Sequence, residues 1–374
     1  MNNNIETDFF KNRYIKAAVF IVMCSAFIFG YLHLFVNHGF ERLHIFLFNL
    51  TVGGSIILYY TETRAIPSIR VILFFFLSIA YAVSAFFEIY PVSIVITIIL
   101  SLIVEKIRIR TFSFFPKDFF RKDAVLSEKF QQASLLCLSM ALMIASFVIL
   151  NNEYFHWIYF EKLKLNVFFL GFSFPVSLIT MSVMFSFINR IEGRIFIILS
   201  QFFFWSINLG VVLFFVFIIF EIFPAQLMAA LTLFISVTMI FIYFLRFGIS
   251  VQQKHFLVSG MGFLLSTAIT GLLYLLLYLS PELHSKYGKN LLSIHAYLSL
   301  YGWNLSGLMV ILRWHDFPLK LNALRVILLH WILIGLIAPL GKNYAFLSII
   351  SIIIYTGLLA IFFSERNEKN NANI

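Results

Sequence analysis

The chain consists of apolar runs of about 20 residues, the length that one membrane-spanning helix needs, separated by short polar segments. Of its 374 residues, 61% are hydrophobic and only 12% are charged. In a soluble domain about a quarter of the residues are charged. The pattern therefore excludes a soluble globular protein, a disordered chain and a coiled coil, and it predicts an all-α polytopic membrane protein.

Twelve apolar runs are candidate membrane spans. They are Ile15–Phe35, Leu43–Tyr60, Ile69–Phe87, Ile89–Val104, Ala133–Leu150, Leu165–Phe187, Ile195–Phe220, Gln226–Leu245, His255–Leu279, Leu291–Leu312, Val326–Leu340 and Tyr344–Phe363. Only Glu88 separates the third run from the fourth. Because no loop is long enough for a soluble domain, we expect residues 1–374 to form one integral membrane domain.

The positive charges alternate between the two ends of successive runs. With twelve spans, 21 of the 27 Lys and Arg residues fall on the side of the N-terminus and 6 on the opposite side. Positively charged loops tend to stay in the cytoplasm. We therefore expect a protein of the bacterial inner membrane with both termini in the cytoplasm, and we attribute the net charge of +10 to orientation.

The longest polar segment, residues 105–132, carries seven Lys and Arg residues with Phe residues between them. Basic segments next to a membrane span commonly contact anionic lipid headgroups. We therefore expect a basic cytoplasmic interfacial loop whose partner is membrane lipid, and no nucleic acid as a partner.

Two histidines, His44 and His295, lie at similar depth near the outer ends of spans two and ten, which run in the same direction. Positions +4, +7 and +11 share the face of each histidine in an α-helix. These positions are Phe48, Thr51 and Ser55 after His44, and Ser299, Gly302 and Ser306 after His295. Each helix thus carries a stripe that begins at an imidazole and has a small residue at +7 and a serine at +11.

Span six has the same stripe with an amide in place of the imidazole: Asn166, Leu170, Ser173 and Ser177. Spans two, six and ten are four apart in the chain. This spacing predicts a pseudo-threefold arrangement of three four-helix units.

The stripes have two interpretations. Small residues let membrane helices approach closely, and His, Asn and Ser form hydrogen bonds between helices. Alternatively, the stripes line a haem pocket in which His44 and His295 ligate one iron and Thr51, Ser299 and Gly302 leave room for the macrocycle. The sequence assigns no role to His33, His255 or His330.

Three segments resemble a known superfamily. Residues 295–303, HAYLSLYGW, resemble the His-Ala-His-Leu-x-Leu-x-Gly-Trp segment of proteins related to haem–copper oxidase subunit I. Residues 170–175, LGFSFP, are similar to a helix of the NnrS-like membrane proteins, and residues 42–44, RLH, fit the second-helix histidine of that superfamily. The resemblance implies twelve helices and haem-ligating histidines on spans two and ten.

The chain departs from this superfamily at the copper ligands. Asn166 stands where the resemblance implies a copper-ligating histidine, span seven has no histidine, and Tyr297 replaces the second histidine of span ten. Copper prefers imidazole or thiolate to an amide. We therefore expect no copper centre, no oxygen reduction and no proton pumping.

The leading hypothesis is a haem b protein, a degenerate relative of the oxidoreductases, that transfers electrons or handles nitric oxide or another diatomic gas. Its partner would be a cytochrome or another component of a respiratory chain. Two alternatives remain: a cofactor-free polytopic transporter, and an assembly subunit of a respiratory complex. No Asp or Glu lies in a span core, which argues against an ion-driven transporter.

Overall fold

The computed structural model describes residues 12–36, 39–64, 66–160, 162, 172–188, 193–314, 317 and 323–364. Within these ranges the fold is all-α, and the one β-bridge pairs Ile188 with Gly248. The described helices are α1 (Arg13–Phe29), α2 (41–62), α3 (Ile69–Phe86), α4 (Tyr90–Thr111), α5 (Leu126–Phe155), α6 (Ser173–Ser186), α7 (Arg194–Ile219), α8 (Phe223–Phe247), α9 (Gln252–Leu277), α10 (281–312), α11 (Leu324–Gly341) and α12 (Ala345–Phe363).

Each predicted apolar run overlaps one of these helices, which confirms the predicted class of an all-α polytopic membrane protein. Among the described residues, eight helices are long and apolar enough to cross a membrane. The remaining helices are shorter or more polar, so the number of twelve spans stays a prediction. The start of the sixth run, including Asn166 and Leu170, lies outside the described residues.

The third and fourth runs are separate helices because the chain reverses at Glu88. Glu88 has a φ of 58°, and the N–H of Ile89 donates to the carbonyl of Ser84, which closes the end of α3. A residue in the left-handed conformation commonly ends a helix in this way. Pro91 then lies in the first turn of α4, where its missing N–H costs no hydrogen bond.

The same turn recurs between α7 and α8, at Glu221 with a φ of 56°. The N–H of Ile222 donates to the carbonyl of Phe217, as Ile89 does to Ser84. The two segments also match in sequence: FEIYP at 87–91 and FEIFP at 220–224. This repeat, four helices apart, supports the predicted four-helix units.

Helices α2, α6 and α10 meet in the interior. Trp303 of α10 donates to the Ser177 hydroxyl of α6 at 2.7 Å. A Cβ added at Gly53 of α2 would lie 2.5 Å from Cγ2 of Val176. These contacts place one helix of each predicted unit at a common centre.

Both α2 and α10 contain a π-helical segment next to this centre, Phe46–Gly54 in α2 and Leu298–Asn304 in α10. Every residue of the first segment is buried. π-helical turns are rare and occur frequently at functional sites. The two segments follow His44 and His295 by two and three residues, and α5 and α11 also contain a π-helical segment each.

The basic segment 105–132 is helical at both ends, since α4 continues to Thr111 and α5 begins at Leu126. The connecting loop is therefore 112–125, shorter than the predicted loop. Glu, Lys and Arg are good helix formers, so charge alone does not end these helices. Arg108 is 3% exposed and binds Glu105 at 2.6 Å, which holds the end of α4 together.

Candidate functional site

His44 packs against the end of α1. The helix ends at Phe29, and the N–H of Gly30 donates to the carbonyl of Phe27 at 3.2 Å. The carbonyl of Ala26, four residues before Gly30, instead lies 2.8 Å from Nδ1 of His44. A Cβ added at Gly30 would lie 2.9 Å from this nitrogen, so the glycine makes room for the ring.

His295 packs in the same way against α9. Its Nδ1 lies 3.0 Å from the carbonyl of Thr267 and 3.4 Å from the hydroxyl of Thr270. A Cβ added at Gly271 would lie 3.1 Å from Cε1 of the ring. The carbonyl is again the one four residues before the glycine.

We call each arrangement a histidine notch: a glycine, the carbonyl four residues before it, and the imidazole of the following helix. The His44 notch lies between α1 and α2, and the His295 notch lies between α9 and α10. In each notch the Nδ1–H donates to the carbonyl, which leaves the Nε2 lone pair for a metal or another donor. Metal-binding histidines usually have their second ring nitrogen held in this way.

The two imidazoles do not face each other. The face of α10 that carries His295, Gly302 and Ser306 packs along α9. A Cβ added at Gly302 would lie 2.6 Å from Cδ1 of Phe263, and the side chain of Ser306 contacts Gly260. The predicted stripe of α10 therefore forms one face of that helix, and residues of α9 cover it.

A different face of α10 approaches His44. The Tyr301 hydroxyl lies 3.1 Å from Nδ1 of His44, and the Tyr301 ring lies 4.6 Å from Phe48 between centroids. Tyr301 belongs to a buried aromatic cluster whose other members are Phe27, Tyr31, Tyr297 and Tyr355. This cluster occupies the space where α1, α10 and α12 meet.

The remaining predicted site residues are dispersed. Thr51 is fully buried in the π-helical segment of α2, and within the described residues its hydroxyl has no hydrogen-bond partner. Ser299 is half-buried in the π-helical segment of α10. Neither residue is brought to the imidazole of the other helix by a described contact.

The histidines without an assigned role differ in burial. His330 is fully buried, and its Nε2 donates to the carbonyl of Tyr301 at 2.7 Å. His33 and His255 are exposed. His330 therefore stabilises the π-helical segment of α10, while the other two contact the surroundings.

Among the described residues, no group of three or more His, Cys, Asp or Glu side chains could hold a metal ion. Asn166, which stands at a copper-ligand position of the superfamily, lies outside these residues.

The notches fit a haem only in part. Each imidazole could ligate a haem iron through Nε2, because a backbone carbonyl holds its Nδ1–H. A single haem between His44 and His295 does not fit, because His295 and Gly302 pack on α9 while Tyr301 contacts His44. Within the described residues, each notch leaves the Nε2 of its imidazole without a hydrogen-bond partner.

The aromatic cluster, the glycines of the notches and the repeated turn were not predicted from the sequence. The turn had a clear signal, because the FEI-aromatic-Pro segment occurs twice. The sequence carries no signal for the glycines, since Gly30 and Gly271 are single residues whose role depends on the neighbouring helix.

Comparisons with protein-family models, with curated proteins and with solved structures find no match for this chain. What the fold defines is the class: an integral membrane protein built from apolar helices around a buried centre.

Proposed function

We propose that the chain is a haem-binding integral membrane protein in which His44 and His295 each act as the only protein ligand of a separate haem b. The repeated histidine notch carries this proposal. Two imidazoles in different four-helix units make the same contacts. Each donates from Nδ1 to the carbonyl four residues before a glycine, packs against that glycine and leaves Nε2 free. Helix packing alone does not require this repetition.

The proposed ligation favours one of the two expected activities. A haem held by two protein ligands would suit electron transfer, whereas a haem held by a single imidazole could also bind a diatomic gas such as nitric oxide. We therefore infer gas binding rather than electron transfer. Gly30 and Gly271 admit the rings, and the carbonyls of Ala26 and Thr267 orient them.

Haem content per chain tests the proposal. The protein is expressed in a haem-replete host, and its haem b is measured from the Soret band and as the pyridine haemochrome. With separate sites, His44→Ala and His295→Ala should each remove about half of the haem, and the double variant should remove all of it. His33→Ala is the matched control, because His33 is exposed, and it should leave the haem content unchanged.

Other outcomes would refute the proposal. If either single variant removes all haem, the two imidazoles share one iron, as the sequence first suggested. If the wild-type protein has no Soret band, haem is excluded, and the cofactor-free transporter and the assembly subunit remain. Uptake of a solute into vesicles would then favour the transporter, and co-purification with a cytochrome the assembly subunit.

A further inference from the structure

An apolar groove follows one face of α7 and is separate from both histidine notches. It has a volume of about 780 Å³. Its lining includes Gln201, Trp205, Leu209 and Leu213 of α7, with Ala225 and Ala229 of α8. Lining residues from Ile198 to Phe217 extend over about 28 Å of helix, close to the thickness of the hydrocarbon core.

Small side chains create the groove. Ala225, Ala229 and Thr232 line it from α8, and Gly210 lines it from α7. Leu209 and Leu213 are 49% and 44% exposed, so this face of α7 is open to the surroundings. In a membrane those surroundings are lipid acyl chains.

One end of the groove reaches the basic loop 112–125. Gln201 donates to the carbonyl of Arg121 at 3.1 Å, and the Trp205 ring lies 5.3 Å from Phe120 between centroids. Lys129 is 2% exposed, and its ammonium donates to the same carbonyl of Arg121 at 2.5 Å. Gln201 therefore holds the loop against the start of α7, and Lys129 holds it against the start of α5.

This end of the groove is positively charged. Arg194 begins α7 and lies on the groove face, one turn before Ile198. Lys122 follows Arg121, whose carbonyl accepts from Gln201 and Lys129. The side chains of Arg194 and Lys122 are both exposed. The Arg121 guanidinium binds Asp123 at 2.6 Å, which holds the pKa of that carboxyl below its ordinary value. Within the described residues, Lys122 and Arg194 form no ion pair.

We propose that the groove binds one anionic phospholipid from the leaflet on the basic side of the protein. An acyl chain lies along Trp205, Leu209 and Leu213, and the phosphate lies between Lys122 and Arg194. The charge at the groove end, the length of the apolar face and its opening to lipid favour this occupant over a protein helix. The proposal does not depend on haem binding.

The test is lipid retention by native mass spectrometry. The full chain is reconstituted in vesicles of phosphatidylglycerol or of phosphatidylcholine with the same acyl chains, and it is then released into mild detergent. The wild-type protein should retain one phosphatidylglycerol and no phosphatidylcholine. Equal retention of the two lipids would overturn the proposal.

Two variants separate the headgroup from the acyl chain. The double variant Lys122→Gln, Arg194→Gln should lower phosphatidylglycerol retention by at least about tenfold, because each basic residue near an anionic surface contributes about fivefold. The variant Leu209→Trp fills the groove without changing the charge, and it should also abolish retention. Unchanged retention in either variant would contradict the proposed site.

The matched control removes two positive charges elsewhere. Lys106 and Arg110 are exposed on α4, which packs on α2, α3 and α5. Lys106→Gln, Arg110→Gln should retain phosphatidylglycerol like the wild-type protein. A loss equal to that of the groove variant would mean that total charge, and not the groove, selects the lipid. Far-UV circular dichroism checks that every variant is folded.

Discussion

At the centre of the protein, Gly307 of α10 packs closely against Thr180 of α6. A Cβ added at Gly307 would lie 2.5 Å from Cβ of Thr180, whereas carbon atoms in contact are normally about 3.5 to 4.0 Å apart. Both atoms are attached to the backbone, so no side-chain rotation relieves the overlap. Gly307→Ala therefore requires α6 and α10 to separate by about 1 Å.

The expected cost follows from this overlap. Inserting a methyl group into a packed core costs about 1 to 3 kcal/mol, and the upper end applies here because no neighbour can move alone. Replacing glycine by alanine in a helix returns up to about 1 kcal/mol. We expect Gly307→Ala to lower the free energy of unfolding by about 2 kcal/mol.

Compensating variants make the test specific. In the Gly307→Ala background, Thr180→Gly should restore much of the lost stability because it removes the opposing Cβ. Thr180→Ala should restore less, because it removes the nearby Oγ1 and Cγ2 but keeps that Cβ. The control is Gly357→Ala on α12, where an added Cβ has no atom within 4 Å and should leave the protein as stable or more stable.

Unfolding is measured by titration with sodium dodecyl sulfate from mild detergent, followed by far-UV circular dichroism. A Gly307→Ala protein as stable as the wild type would refute the close approach of α6 and α10. Rescue by Thr180→Ala as complete as by Thr180→Gly would refute the assignment of the clash to the two Cβ atoms.

Further predictions concern the notch, the aromatic cluster and the basic loop. Gly30→Ala should displace the His44 ring and destabilise the protein by about 1 to 3 kcal/mol in the same titration. Tyr301→Phe should cost about 1 kcal/mol by removing the hydroxyl beside His44, whereas Tyr355→Phe should cost nothing, because its hydroxyl is buried without a partner among the described residues. Arg108→Gln should speed trypsin cleavage in the loop 112–125, because Arg108 donates to two carbonyls of that loop; an unchanged cleavage rate would contradict this anchoring role.

The sequence was enough to predict the class of the fold. The length of an apolar run predicts a membrane helix without tertiary information. In lipid the backbone must satisfy its own hydrogen bonds, and a helix does so within one segment. The break at Glu88 was also predicted from the sequence, since this charged residue interrupts one long apolar run. Helices α2, α6 and α10 lie at a common centre, which agrees with the stripes recurring on every fourth helix of the chain.

The partner of each stripe could not be read from the sequence. Offsets along α10 place His295, Gly302 and Ser306 on one face, and only the packing decides that α9 covers this face. The hydrogen-bond partners of His44 are Ala26, in the preceding helix, and Tyr301, 257 residues away.

The sequence of one helix thus determined which residues share a face in this protein, because the helical repeat does not depend on neighbouring helices. Which faces meet depends on how side chains of different helices interlock. That interlocking assigned His44 and His295 to separate notches, and it placed an apolar groove beside a basic loop.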